Sequence, residues 1–133
     1  MATTTPIRDV LGHTALFCLH RHVTLAVADA LPSAPMPKCR VIWAEAGVEA
    51  LGTGAGGTDI MLANATGDVN LLSAPISITV ADGVAGLGVV GTLVAAEASL
   101  LFAEGDKLNL NIDAVPATTV SSFAFANVLV ELL

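Results

Sequence analysis

Aromatic side chains and positive charge are both scarce in this chain of 133 residues. It has no tyrosine, one tryptophan and four phenylalanines, which argues against the exposed stacking surfaces that bind sugars or single-stranded nucleic acid. Five lysines and arginines stand against twelve aspartates and glutamates, giving a formal net charge of −7. A basic surface for phosphate is therefore excluded, and no nucleic-acid partner is expected.

Long apolar runs are missing as well. The longest uncharged stretch, 114–130, contains Pro116 and four hydroxyl residues, so it is too short and too polar for a membrane helix. The first six residues, MATTTP, have neither the basic nor the apolar part of a secretory signal. Synthesis in a cytoplasm and the absence of a membrane partner are therefore expected.

Cysteine is too rare for a disulfide scaffold, since Cys18 and Cys39 are the two in the chain. In a hairpin centred near Ser33 they would not lie opposite each other. Both are predicted to be reduced and buried as small hydrophobic residues.

Hydrophobic residues, by contrast, make up 54% of the chain and charged residues 13%. One domain of this length still exposes roughly a third of its unfolded surface, and the few charges cannot cover it. Part of the surface is therefore predicted to be buried against other copies or another protein. A monomer coated with alanine, threonine and glycine is the alternative.

Alternation with a period of two predicts a series of short strands separated by turns. In the first, Phe17, Leu19, Val23, Leu25 and Val27 share one face, and in the second Cys39, Val41 and Trp43 do so, which places Trp43 in the core. The proline-rich stretch 29–37 is predicted to be a loop. The predicted strands cover 17–27, 38–46, 59–64, 76–80, 108–114 and 122–133, while 87–101 fits either a strand pair or an alanine-rich helix.

These strands predict an all-β fold, an antiparallel β-sandwich that is jelly-roll-like. Residues 16–133 would form the sandwich and residues 1–15 an extended N-terminal arm. The C-terminal strand is apolar on both faces, with Phe123, Phe125 and Leu129 opposite Val128 and Val130. A two-layer sandwich covers one face of a strand, so a neighbouring subunit is predicted to cover the other; residues of the same chain are the alternative.

Several segments form a pattern together: GDKLNLNIDAV at 105–115, the apolar strand at 123–132, and the upstream strands at 59–64 and 71–78. In these segments the chain resembles the small β-sandwich proteins of tailed bacteriophages. The family's Asn-Gly-Thr turn is replaced here by Asn64-Ala-Thr-Gly67. Across 38–133 the chain is similar to capsid decoration (cement) proteins and to fibre or collar modules. The resemblance implies a non-enzymatic virion protein, often trimeric, that binds the major capsid protein or serves in the tail.

Two glycine motifs of the form G-x-G-x-x-G compete with this interpretation. One spans 86–91, with Asp106 at the distance of a ribose-binding acid, and the other spans 52–57. Neither sits in an alternating strand–helix pattern, so no nucleotide cofactor is predicted.

Three polar groupings are considered as sites. Cys18, His20 and His22 share one strand face, and with Cys39 or His13 they would supply zinc ligands. Cys18 and His20 alone would be a nucleophile and base without a third orienting group. Glu104 and Asp106 flank a turn glycine and are predicted to be turn formers. A polar strand face and no catalytic, cofactor or metal residue are expected.

The sequence thus predicts a capsid decoration protein, located in the virion, which associates with itself as a trimer and with the shell. A tail, fibre or collar module for host attachment is the alternative.

Overall fold

The computed structural model describes residues 13–20 and 25–133. Ten strands follow one another in the order β1 Thr14–His20, β2 Ala30–Pro35, β3 Cys39–Ala50, β4 Gly57–Asn64, β5 Val69–Asn70, β6 Ile76–Thr79, β7 Val89–Val90, β8 Leu101–Phe102, β9 Lys107–Ala114 and β10 Ser122–Leu132. One turn of 3-10 helix, Glu97–Leu100, precedes β8. No helix in the described ranges is long and apolar enough to span a bilayer.

The strands form two antiparallel sheets, which confirms the predicted all-β sandwich. Sheet A has the order β1-β10-β3-β7, with β8 also paired to β3. Sheet B has the order β2-β9-β4-β5, with β6 also paired to β4. The two longest strands, β3 and β10, lie side by side at the centre of sheet A.

The core lies between the sheets and is built from alternate residues of each strand. In β9, Leu108, Leu110 and Ile112 are fully buried, as their spacing predicts. In β10 the buried residues are Ala124, Ala126, Val128 and Val130. Alanine and valine make up most of the sheet A side of the core, and leucine and isoleucine make up most of the sheet B side.

The proline-rich stretch predicted to be a loop contains a strand. Ala30, Leu31 and Pro32 pair with β9, and Pro35 pairs with Lys107 after a register shift. Because β2 is an edge strand, half of its backbone N–H groups face away from the sheet, and a proline is tolerated at those positions. The prediction of a loop at 29–37 was therefore wrong.

The first strand is shorter than predicted. It ends at His20, residues 21–24 lie outside the described part, and Val27 is exposed instead of facing the core. Within β1 the alternation is confirmed, since Phe17 and Leu19 are half-buried while Cys18 and His20 are exposed. Of the predicted arm, residues 1–12 lie outside the described residues, whereas Thr14 and Ala15 belong to β1.

Candidate interaction surface

An apolar row crosses the side of sheet A that faces away from sheet B. Leu16 of β1 lies opposite Leu129 of β10, and Leu129 lies opposite Trp43 of β3. Leu16 is 57% exposed, and the other two are half-buried. We call this side the outer A face. Its central row would gain hydrophobic stabilisation if another surface covered it.

A β-bulge places Trp43 on the outer A face. Val41 pairs with Val130 inside the sandwich, and the next pair is Trp43 with Leu129, so Ile42 is an extra residue. A bulge residue reverses which face each later residue points to. Beyond it Ala44 is buried, and Trp43 points outward, so the prediction that Trp43 belongs to the core was wrong.

Charged groups on the outer A face have hydrogen-bond partners. The guanidinium of Arg40 donates to Glu97 at 3.1 Å and to Glu131 at 2.9 Å. Hydrogen bonds to Glu131 and Glu97 raise the pKa of Arg40 further above its ordinary value. On the other side of the apolar row, the Asn127 amide donates to Glu45 Oε1 at 2.9 Å. Except for the buried Nε of Arg40, which has no hydrogen-bond partner among the described residues, these polar atoms are already satisfied. The apolar row is therefore the part of the face that is stabilised most by contact.

Beside the row lies an open cleft of about 290 Å³, lined among others by Cys18, His20, Glu49, Phe125 and Asn127. His20 Nε2 lies 2.7 Å from Glu49 Oε1, which makes an ion pair when the ring is protonated. Glu49 is thus the orienting group that the sequence did not reveal. It lies 29 residues from His20 and reaches it across β10, so only the strand order brings them together.

The cleft brings a thiol and an imidazole to the same side of β1. Cys18 and His20 are exposed at neighbouring same-face positions, whose Cα atoms are about 7 Å apart. Glu49 accepts a hydrogen bond from the imidazole, and all three side chains line the cleft.

The described residues do not form the zinc site that was considered from the sequence. Cys39 is fully buried on the inner face of sheet A, whereas Cys18 is exposed on the outer side, so one ion cannot reach both. His22 lies outside the described residues. Within the part of the chain that is described, no three His, Cys, Asp or Glu side chains are grouped to hold a metal.

Both thiols are free, but only one is buried. The prediction that Cys18 is buried was wrong, because β1 presents it to solvent. Cys39 is buried as predicted, and burial raises the pKa of its thiol.

The glycine motif at 86–91 does not precede a helix. It contains the two-residue strand β7, and the N–H of Gly91, which follows β7, donates to the Ala44 carbonyl of β3. A Cβ at Gly88 would collide with the Glu45 carboxylate, so this glycine allows close packing on β3. The dinucleotide motif needs a strand, a glycine turn and a helix N-terminus, and this arrangement is not formed here. The second motif, 52–57, connects β3 to β4.

Asp106 forms a turn, as predicted. Its carboxylate accepts hydrogen bonds from the Asn64 amide at 3.0 Å and the Ala103 N–H at 2.9 Å. These bonds, that of Asn64 above all, lower its pKa below the ordinary carboxyl value. Glu104 is exposed on the same turn.

The outward side of sheet B, the outer B face, exposes polar residues. Its exposed and half-buried residues include Asn109 and Asn111 of β9, Asp59 of β4 and Ser77 of β6. Met61 and Ala63 of β4 lie on the same side, opposite Asn111 and Asn109, and are buried. Asn70 of β5 continues the same face, opposite Ala63. Nothing in this set resembles the apolar row across sheet A.

No protein-family model matches the chain, and no curated protein matches it. Among solved structures, it is similar to a chain of the cyanophage Pam1 capsid asymmetric unit, with a TM-score of 0.60 and 19% sequence identity. The aligned part covers 90% of this chain and 84% of that chain. At this identity the likeness establishes a shared fold, and it does so over nearly the whole length of both chains.

Proposed function

We propose that the protein is a structural protein of a bacteriophage virion and, more finely, a capsid decoration protein that binds and stabilises the head shell. The observation that carries the proposal is the fold shared with a chain of a cyanophage capsid asymmetric unit. The two coverages imply chains of similar length, so the shared part is a whole small domain in each case. Because one fold hosts many functions, the surface has to support the proposal as well.

The surface supports a role in association rather than catalysis. The outer A face combines an apolar row, Leu16, Leu129 and Trp43, with charges that already have partners. Such a face contributes binding energy through burial and does not arrange groups around a reacting atom. In this proposal the outer A face contacts neighbouring copies in a closed oligomer, for which a trimer is the expected state.

Attachment to the shell is assigned to residues 1–12. These residues join the sandwich at β1, at one edge of sheet A. An extended segment can add its backbone to a sheet of another protein. The oligomer would then hold several arms at once, and multivalent attachment strengthens weak single contacts.

The direct experiment uses phage particles that lack the protein. Purified protein is added back, and electron cryomicroscopy locates the new density, while release of DNA on heating reports the stability of the head. The proposal predicts density on the head and a higher release temperature. Density on the tail or fibres would replace it with the alternative of a host-attachment module, and no density on either would contradict both.

Deletion of residues 2–12 tests the role of the arm. The shortened protein is expected to fold and to form the same oligomer, yet to lose binding to the depleted particles. The full-length protein with a substitution on the outer B face, Ser77→Glu, is the control and should still bind. If the shortened protein binds the particles as tightly as the intact chain, attachment comes from the sandwich itself.

A further inference from the structure

The edges of the two sheets are protected to different degrees. The edge strand β2 carries Pro32 and Pro35 and a register shift between them. The edge strands β5, β7 and β8 are two residues long, and β6 has four. Short strands, prolines and irregularities are the usual means of preventing a sheet from adding further strands.

The edge strand β1 has none of these features. It is seven residues long, pairs in regular register with β10, and contains no proline and no Asp, Glu, Lys or Arg. Among the described strands it is the one long, regular and uncharged edge. A strand of this kind is a template for pairing with another strand.

The hydrogen-bonding pattern shows which residues of β1 point to the open edge. The Leu132 N–H donates to the His13 carbonyl, and the register from Thr14 with Glu131 onward is unbroken. In an antiparallel ladder, hydrogen-bonded and non-hydrogen-bonded residues alternate. Ala15, Phe17 and Leu19 therefore bond to β10, while Thr14, Leu16 and Cys18 direct their N–H and C=O groups away from it.

We infer that β1 is a pairing surface for β1 of a second copy of this chain, antiparallel about a twofold axis at Phe17. This register uses all seven residues and places Thr14, Leu16 and Cys18 opposite His20, Cys18 and Leu16 of the second copy. No charged pair is brought together in the segment Thr14–Leu19. The two strands are thus complementary to each other, as an isologous contact requires.

The side chains of β1 support the same register. Phe17 is half-buried and packs against the core from the edge of the sandwich. At the twofold axis the two Phe17 rings occupy a non-hydrogen-bonded pair, where side chains come closest and aromatic pairs are favourable. Pairing therefore joins sheet A of one copy to sheet A of the other. It also covers an aromatic side chain that a single copy leaves partly exposed.

This contact goes beyond the proposed function and does not depend on it. A twofold contact cannot lie inside a trimer, but it can join two trimers into a closed D3 assembly of six copies. The proposal concerns the surface β1 and its partner, which is a second copy, whatever the total number of copies.

A variant with one thiol in β1, in addition to the buried Cys39, tests the axis. In Phe17→Cys combined with Cys18→Ser, the new thiol lies opposite its own copy at a Cα separation of about 4.5 Å, within the range that a disulfide spans. Under mild oxidation we expect covalent pairs to form at least about tenfold faster than in the control Leu19→Cys with Cys18→Ser, whose thiol faces Ala15 of the second copy. Equal rates for the two variants would overturn the proposal.

A double lysine variant and its matched control change only exposed residues. They test the pairing of β1 even if Phe17→Cys fails to fold. Leu16→Lys with Cys18→Lys places lysines directly opposite each other across the axis, where like charges are destabilising. Both positions are exposed. In sedimentation at matched concentrations the species should have half the mass of the wild-type species, whereas loss of an outer A face contact within a trimer would leave one third and would overturn the assignment to the edge. Asn70→Lys with Ser77→Lys on the outer B face should leave the mass unchanged.

Other occupants of the edge give different results. If residues 1–12 fold back on β1 of their own chain, the lysine pair leaves the mass unchanged and no cross-link forms, and the proposal is wrong. If the lysine pair removes binding to depleted particles but leaves the mass of the free protein unchanged, the edge serves the shell instead, and the second copy is excluded.

Discussion

The two outward faces of the sandwich differ in what their strands expose. Where burial in the strands is described, the exposed large apolar side chains belong to sheet A. Leu16, Ile42, Val90 and Leu101 lie on its outward side, and Val89 lies opposite the inward-facing Ala46. On the outer B face the same alternation presents asparagine, aspartate and serine. Both faces have the same backbone geometry, so the difference is one of sequence. One side of this small domain is suited to contact with water. The other side is stabilised when another surface covers it.

The largest expected effect is a difference in the free energy of unfolding between a core variant and a variant on the outer A face. Phe102 is buried between the sheets, so Phe102→Ala should lower the free energy of unfolding by about 3–5 kcal/mol. Trp43→Ala should cost less than half as much in the monomer, because part of the indole is already in solvent. Chemical denaturation of dilute protein measures both. An equal loss for the two variants would mean that Trp43 is a core residue and that the outer A face is not a separate surface.

Charge on the exposed apolar residues should act next most strongly. Val90 lies opposite Glu45 on the outer A face, and Ile42 is the exposed bulge residue. Val90→Glu with Ile42→Glu would bury unpaired carboxylates in a subunit contact, at a cost of about 2–5 kcal/mol in association. We expect the oligomer to dissociate in sedimentation equilibrium.

The matched control for this pair lies on the opposite side of the domain. Asn70→Glu with Ser77→Glu adds the same charge to the outer B face, where both residues are exposed. The oligomer should persist. If both double variants dissociate to the same extent, net charge rather than the position of the apolar face governs association.

The outer A face also shows where prediction from the sequence stops. Strict alternation in Leu108, Leu110 and Ile112 predicts a strand and its buried face, because a period of two has no other common cause. Val41, Ile42 and Trp43 are three consecutive apolar residues, which alternation cannot assign to faces. Only pairing with β10 shows that Ile42 is the extra residue and that Trp43 faces outward.

Neither the edge position of β2 nor the order of the strands could be predicted from the sequence. Prolines indicate a loop unless the strand is known to lie at an edge, as β2 does. The contact of His20 with Glu49 depends on β10 lying between their two strands. The local pattern therefore predicts most strands and most of the buried residues. The contacts on the surface could not be predicted, because they depend on which strands are neighbours.

A smaller effect concerns acid stability at the end of sheet B. Asp106 has a lowered pKa in the folded state because of its hydrogen bonds, first of all from Asn64. A carboxyl group with a depressed pKa stabilises the fold above its unfolded pKa, and this stabilisation is lost as the pH falls through the folded value. Stability of the wild type should thus decrease as the pH drops below about 4.

Asp106→Asn removes this titration. The variant should be less stable than the wild type at neutral pH, and the difference should shrink in acid, as measured by thermal unfolding between neutral pH and the acid range. Glu104→Gln changes an exposed carboxylate in the same turn and is the control. A wild-type-like slope with pH in Asp106→Asn would show that other carboxyl groups account for the acid sensitivity.

The smallest effect leaves stability unchanged and concerns the two thiols. Cys18 is exposed on the outward side of β1, while Cys39 is buried and burial raises the pKa of its thiol. The thiolate is the reactive form, so at neutral pH a thiol reagent should modify Cys18 quickly and Cys39 only after unfolding. Because Cys18 belongs to the side that self-association covers, its rate should also fall as the protein concentration rises. A thiol on the outer B face, Ser77→Cys with Cys18→Ser, should react at a rate independent of concentration. If both thiols show the same concentration dependence, the two faces are equally exposed in the assembly, and the outer A face is not where the copies meet.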